Sequence, residues 1–225
     1  MKTAYLVASA ALLAAGAWLM RKGQEAEADQ LENAAGGLLS DAGQVLGDVT
    51  EEVLQGVAVM TGFNLSRMRQ VTVQDVNNPN VRALLAVIRR GEGTAGPNGY
   101  RTMFGGGLFE SFADHPRKAI TRKLGARTIT STAAGAYQFL SSTWDETARI
   151  MDLDDFTPAS QDRAAVGRIA ARGALEDARA GRLSLALGKI AKEWASMPGS
   201  PYGQPVISEA TARTVFAQAG GVAVA

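Results

Sequence analysis

Between Asn80 and Gly93 the chain reads NVRALLAVIRRGEG, and its apolar residues recur at helical spacing. Val81, Leu84, Leu85 and Ile88 fall at i, i+3, i+4 and i+7, which predicts an α-helix with one buried face and Asn80 as its N-cap. Glu92 stands four residues after Ile88 and so continues that face. An acid there loses hydration, and desolvation favours the neutral, proton-donating form of a carboxylic acid. Gly91 and Gly93 end the helix and clear side-chain bulk from both sides of the carboxyl, leaving room for a large substrate. The competing reading is a frayed helix end with a solvated glutamate.

Composition narrows the chemistry. A chain of 225 residues has room for one good core plus an appendage. Its net charge of +1 hides an asymmetry: residues 23–66 carry eight acids and no Lys or Arg, whereas residues 67–225 carry 20 basic residues against 14 acids. The basic C-terminal part suits an anionic partner, cell wall or nucleic acid. Nothing resembles a helix-turn-helix, zinc finger or RNP motif, so nucleic acid is the weaker choice and is not expected as a partner. There is no cysteine, which removes disulfides, thiolate catalysis and Cys-based zinc sites. The single His115 cannot alone build a metal centre or a Ser/His triad, and neither metal nor cofactor is expected. Carboxylate chemistry remains.

The chain reads as three parts. Residues 1–22 hold an uncharged run, Thr3–Met20, flanked by Lys2 and by Arg21–Lys22. Eighteen residues sit at the short end for a membrane span, and Ala15-Gly16-Ala17 also resembles a signal-peptide cleavage site; a buried soluble helix is the third possibility. Residues 23–79 are acidic, with an amphipathic helix from Asp41 to Thr61 and then a linker ending in turn signals at Asn77–Asn80. The apolar stripe of that helix needs a partner: the C-terminal domain, a second copy or another protein. Residues 80–225 form the main domain. It is expected to be mainly α, with a small β or loop lobe within 96–129, where glycine, aromatic and basic residues lack helical period. Further helices are expected from Ser141/Ser142, which cap it, through Met151, from Thr157-Pro158 to about Gly173, along Leu183–Trp194, and over Ser208–Ala219. Trp144 and Trp194 lie on helical stripes and are expected in the core.

Four segments now line up: RRGEGT, YRTMFGGGLFESFADHPRK, STAAGAYQFLSSTWDE and KEWASMPGSPYGQP. Their order and spacing resemble those of the lambda-type phage lysozymes, which are peptidoglycan lytic transglycosylases of the lysozyme-like superfamily. The resemblance runs from Val81 to about Gly220 and does not reach the first 80 residues. It implies an α+β lysozyme-like fold, Glu92 as the catalytic acid, and cleavage of the MurNAc–GlcNAc bond of peptidoglycan glycan strands to a 1,6-anhydromuramic end. One acid suffices for such a reaction because the substrate supplies its own N-acetyl group and C6 hydroxyl, whereas glycoside hydrolysis generally uses two carboxylates.

The resemblance also suggests substrate contacts. Gly135, Tyr137 and Gln138 in GAYQFL resemble the superfamily's Gly-x-x-Gln element, whose glutamine lines the cleft; a buried amide satisfied by backbone is the alternative. Tyr100 and Tyr202, beside the two glycine-rich motifs, are candidates for stacking on sugar faces or for packing. Asp114-His115-Pro116-Arg117 reads as a loop fixed by hydrogen bonds and an Arg–carboxylate pair, with His115 in a non-catalytic role. Where a member of that family carries an acid after the tyrosine corresponding to Tyr100, this chain has Arg101, which fits poorly with a two-acid hydrolysis. Two roles suit the whole chain. One is a virion component that opens the wall during genome delivery, associated with other virion proteins or with its own copies. The other is a signal-anchored endolysin for host lysis, held at the host inner membrane with the domain facing the periplasm. A non-catalytic wall-binding virion protein is the alternative outside enzymology.

Overall fold

The computed structural model describes residues 63–124, 127–202 and 205–224. The expected segment Thr3–Met20 and the expected helix Asp41–Thr61 lie outside them. Among the described residues no helix is long and apolar enough to cross a membrane.

The stretch ahead of Pro79, expected as a linker, holds two short helices, α1 (Ser66–Arg69) and α2 (Val73–Asn77). Thr72 and Asp75 cap α2 reciprocally: the Thr72 hydroxyl accepts the Asp75 N–H, and the Asp75 carboxylate accepts the Thr72 N–H at 2.8 Å. Burial alone would raise the Asp75 pKa, but the Thr72 hydrogen bonds and the Arg179 guanidinium outweigh it and hold the carboxyl below its usual range. Met68 is fully buried in the main core. Helices of four or five residues show no apolar period, so only their packing reveals them.

Helix α3 (Pro79–Gly91) follows. Its cap is Asn78 and not Asn80: the Asn78 side chain accepts the Asn80 and Val81 N–H groups at 3.0 and 3.2 Å. Pro79 takes the first helical position, where its missing N–H costs nothing. Asn80 instead ties distant chain together, donating to the Arg179 carbonyl at 3.0 Å and accepting the Val222 N–H at 2.8 Å. Strands β1 (Ile120–Leu124) and β2 (Arg127–Ser131) pair antiparallel, Ile120 opposite Ser131, at the end of the region expected to carry loops and short strands and two residues past it.

The remaining elements are α4 (Ser141–Met151), α5 (Pro158–Ala171), α6 (Leu175–Arg179), α7 (Leu183–Ile190) and α8 (Glu209–Gln218). Thr157 and Ser208 cap α5 and α8 through their hydroxyls, as their sequence signals imply. Ser141 and Ser142 do not cap α4. Leu140 occupies that position, and the Ser141 N–H is satisfied by the hydroxyl of Thr132, nine residues earlier, at 3.0 Å. Helix α7 is shorter than its stripe suggests, because the chain leaves the helix after Ile190 while Ala191, Trp194 and Met197 continue into the core. Helix α3 packs against α5, α6 and α8. Trp144 and Trp194 are buried as expected, and the Trp144 ring packs edge-on against Phe139 and Phe156. The architecture is mainly α with a small two-stranded sheet.

Candidate active site

Glu92 stands at the C-cap of α3, its N–H bonded to the Ile88 carbonyl at 2.9 Å. Gly93 then adopts φ +72°, a left-handed conformation that turns the chain away and that glycine reaches without strain. The Glu92 side chain is half-buried, and its Oε1 accepts a hydrogen bond of 2.5 Å from the Ser196 hydroxyl. A frayed, solvated helix end does not describe this geometry. Downstream, the Thr94 N–H bonds the Arg89 carbonyl at 2.8 Å, and the Thr94 hydroxyl donates to the Ala136 carbonyl at 2.5 Å. The turn after the acid is thereby tied to the GAYQFL segment.

A second acid, not legible as a site residue, gathers Tyr100 and Tyr137. Asp162, on α5, accepts hydroxyl hydrogen bonds from both Tyr100 and Tyr137, at 2.8 and 2.6 Å. Burial raises the Asp162 pKa, opposed by those two phenol donors and by the positive charge of Arg89. Burial likewise raises the pKa of both tyrosines, reinforced by the charge of Asp162, so each stays a neutral donor. The Arg89 guanidinium, one turn before Glu92, lies 4.7 Å from the centre of the Tyr100 ring. Beside Asp162, the fully buried Gln161 accepts the Ala136 N–H at 2.8 Å and donates to the Tyr100 and Phe156 carbonyls at 3.0 and 2.8 Å. The Gln161-Asp162 pair on α5 therefore fixes both the chain after Glu92 and the GAYQFL segment.

The expected substrate contacts fall into different settings. Tyr137 is buried at 1% exposure, so its ring face belongs to the core and its hydroxyl to Asp162. Tyr100 is half-buried in the same cluster. Gly135, at φ +80°, is forced to be glycine, since a Cβ would lie 2.3 Å from the Gln161 Oε1 and 2.8 Å from Phe156. Gln138 holds φ +49° and donates its side-chain amide to the Thr102 and Gly135 carbonyls at 3.0 and 2.9 Å, bonds in which its amide oxygen takes no part. Tyr202 is half-buried, with its hydroxyl donating to the Lys192 carbonyl at 2.9 Å.

Arg101 and His115 are both held in place by loop backbone. Arg101 donates to the Phe109 carbonyl at 3.1 Å and to the Glu110 carbonyl, with its guanidinium 4.2 Å from the centre of the Phe112 ring. His115 is buried, with Nε2 at 2.9 Å from the Phe139 carbonyl and Nδ1 accepting the Arg117 N–H at 3.1 Å. Burial lowers its pKa and keeps it neutral, a hydrogen-bonding strut of the loop. Arg117 bridges Asp114 and Asp145 at 3.0 and 2.6 Å. Among the described residues no group of three or more His, Asp or Glu could hold a metal ion.

The chain is similar to known proteins over most of this domain. The family profile described as Endolysin matches residues 82–223, a range that includes Glu92, Asp162 and Ser196. The endolysin of Escherichia phage lambda is 37% identical over 153 residues, covering 65% of this chain and 94% of the relative. The endolysin of Escherichia phage P2 is 37% identical over 155 residues, covering 64% and 94%. The solved structure of bacteriophage lambda lysozyme complexed with a chitohexasaccharide is similar at TM-score 0.61 and 35% identity, covering 65% of this chain and 97% of that one.

Proposed function

Because the chain belongs to the Endolysin family, we propose that it degrades peptidoglycan as a lytic transglycosylase, with Glu92 as its acid and base. Membership makes it a phage-type lysozyme acting on peptidoglycan. The finer assignment rests on one observation: a single half-buried carboxyl stands at the cap of α3, oriented by the Ser196 hydroxyl. Arg101, a cation directly after Tyr100, offers no second carboxylate at that position and supports a one-acid reaction.

In this reading protonated Glu92 gives its proton to the oxygen that joins C1 of N-acetylmuramic acid to C4 of N-acetylglucosamine. The C1–O bond breaks, and the muramic N-acetyl group stabilises the positive charge that develops at C1. The muramic C6 hydroxyl then attacks C1, and its proton passes to the Glu92 carboxylate. The acid is regenerated and no water is consumed. Gln138 offers its amide oxygen to a substrate N–H or hydroxyl, and Tyr100 and Tyr202 offer partly exposed ring surface to the glycan.

Digestion of purified sacculi distinguishes the mechanisms. The expected products end in 1,6-anhydromuramic acid, lighter than hydrolytic ends by one water, ~18 Da by mass spectrometry. Reducing muramic ends as the main product would assign hydrolysis and require a second acid. The chain also carries about 80 residues ahead of the matched region, including the uncharged run Thr3–Met20. We propose that this part anchors the enzyme in a particle or the host inner membrane, to open the wall during genome delivery. Mass spectrometry of purified particles is expected to find the chain. Its absence from particles, with presence in host membranes, would favour the lysis role.

A further inference from the structure

The acid of a glycosidic cleavage must present one defined oxygen to the leaving group, and must then carry the negative charge left behind. A carboxyl group on a single-bonded stem rotates, so something has to choose which oxygen bears the proton. Here the Ser196 hydroxyl donates to Oε1 of Glu92 at 2.5 Å. The oxygen of a carboxylic acid that accepts a hydrogen bond is favoured as its carbonyl oxygen, so this contact biases the transferable proton towards Oε2. When that proton leaves, the same hydroxyl donates to a full carboxylate, and a hydrogen bond to an ionised group is stronger than one to a neutral group.

Two features show that the contact is built into the fold. First, Ser196 sits on a fixed segment. Trp194, buried two residues earlier, donates its indole N–H to the Tyr137 carbonyl at 3.1 Å. Met197 is fully buried, and the Ser196 carbonyl accepts the Ile207 N–H at 3.0 Å. Second, the last turn of α3 has been cleared for it. A Cβ on Gly91 would lie 2.6 Å from the Ser196 Oγ, 3.2 Å from its Cβ and 2.2 Å from the Met197 Cε. Gly91 has no positive φ to explain it, so its missing side chain serves close approach. One face of the glycine before the acid is occupied by the residue that grips the acid.

We infer that Ser196 is a positioning residue for the reaction, selecting the proton-bearing oxygen of Glu92 and stabilising its conjugate base. The inference rests on the reading of Glu92 as the acid. Gly91 is the spacer that lets Ser196 reach it. The sequence places Ser196 in one of the four aligned segments but gives it no role, since it lies 104 residues from Glu92.

The test uses the full chain in detergent with soluble glycan strands released from peptidoglycan. Ser196→Ala is expected to keep the parent circular dichroism and to lower kcat roughly 10- to 100-fold, with KM within about twofold of the parent. Gly91→Ala displaces the hydroxyl by crowding, so Gly91→Ala with Ser196→Ala is expected to lose little more than either change alone. The Glu92→Gln background separates the two readings. There, adding Ser196→Ala is expected to leave binding of a chito-oligosaccharide, measured by calorimetry, unchanged, because the amide has no acid proton for Ser196 to place and the contact serves the chemical step alone. A folded Ser196→Ala protein with parent kcat overturns the inference while leaving Glu92 standing. A general loss of binding in the Glu92→Gln background overturns it too, by showing that Ser196 shapes the site as a whole. Full activity of Glu92→Gln would instead remove the reading on which both depend. Should Ser196→Ala fail to fold, Ser196→Cys, similar in volume and a weak donor, takes its place with the same expected split.

Discussion

Glu92→Gln is expected to fold like the parent and to release muropeptides from sacculi ~10²–10⁴-fold more slowly. The amide keeps the size and much of the hydrogen bonding of the acid, and its oxygen can still accept from Ser196. What it lacks is a proton that can pass to the glycosidic oxygen. Stability should change little, because the side chain is half-buried at a helix end and its volume is preserved. Equal thermal midpoints together with near-parent release would remove Glu92 from the chemistry. Comparable losses in activity and stability would point to a structural carboxylate.

The largest expected effect on stability lies away from that site. Arg168, on α5, is buried with its side chain 5% exposed, and Glu193 meets it at 2.5 Å with a side chain 6% exposed. Glu146 meets the same guanidinium at 2.7 Å, and Glu193 also reaches Arg172 at 2.8 Å. Burial alone would lower the Arg168 pKa, but the charges of Glu193 and Glu146 outweigh it and hold the group above its usual value. The ring of Phe63 completes the cluster, 4.3 and 4.7 Å from the Arg168 and Arg172 guanidinium carbons. Removing one partner of a buried pair leaves an under-compensated charge in a poorly solvated place. Glu193→Ala is therefore expected to cost ~3–5 kcal/mol in chemical denaturation, lowering the thermal midpoint by roughly 10 °C. A loss below ~1 kcal/mol would mean that Glu146 alone, or solvent, suffices for Arg168. Arg168→Met together with Glu193→Leu should recover part of the loss, because the most deeply buried pair is replaced by apolar groups, while Glu146 and Arg172 each give up one partner.

Much of the helical scaffold is written in local sequence. The stripe Val81–Ile88, the Thr157-Pro158 pair and the Ser208 hydroxyl each act within one or two helical turns, so their meaning survives reading along the chain. The placement of Glu92 between two glycines at the end of a buried face is local in the same way, and the four spaced segments extended it to a family. Local reading erred where two signals competed at one end. Asn80 looked like the cap because the apolar stripe begins beside it, yet Pro79 had already marked the first helical position and left the cap to Asn78. Helices α1, α2 and α6 escaped because four or five residues carry no measurable period.

What the tertiary structure alone decided is which polar atoms meet. Asp162 gathers hydroxyls from positions 62 and 25 residues away, and Gln161 satisfies backbone groups of three separate segments. In the sequence they are an ordinary polar pair near the start of a helix. Ser196 is one serine among many until the missing Cβ of Gly91 lets its segment close on Glu92. Hydrophobic periodicity is a property of one element and can be read from it. A hydrogen bond between elements depends on the packing angle and depth of both, which arise only when the whole core of α3, α5 and the segment around Trp194 has formed.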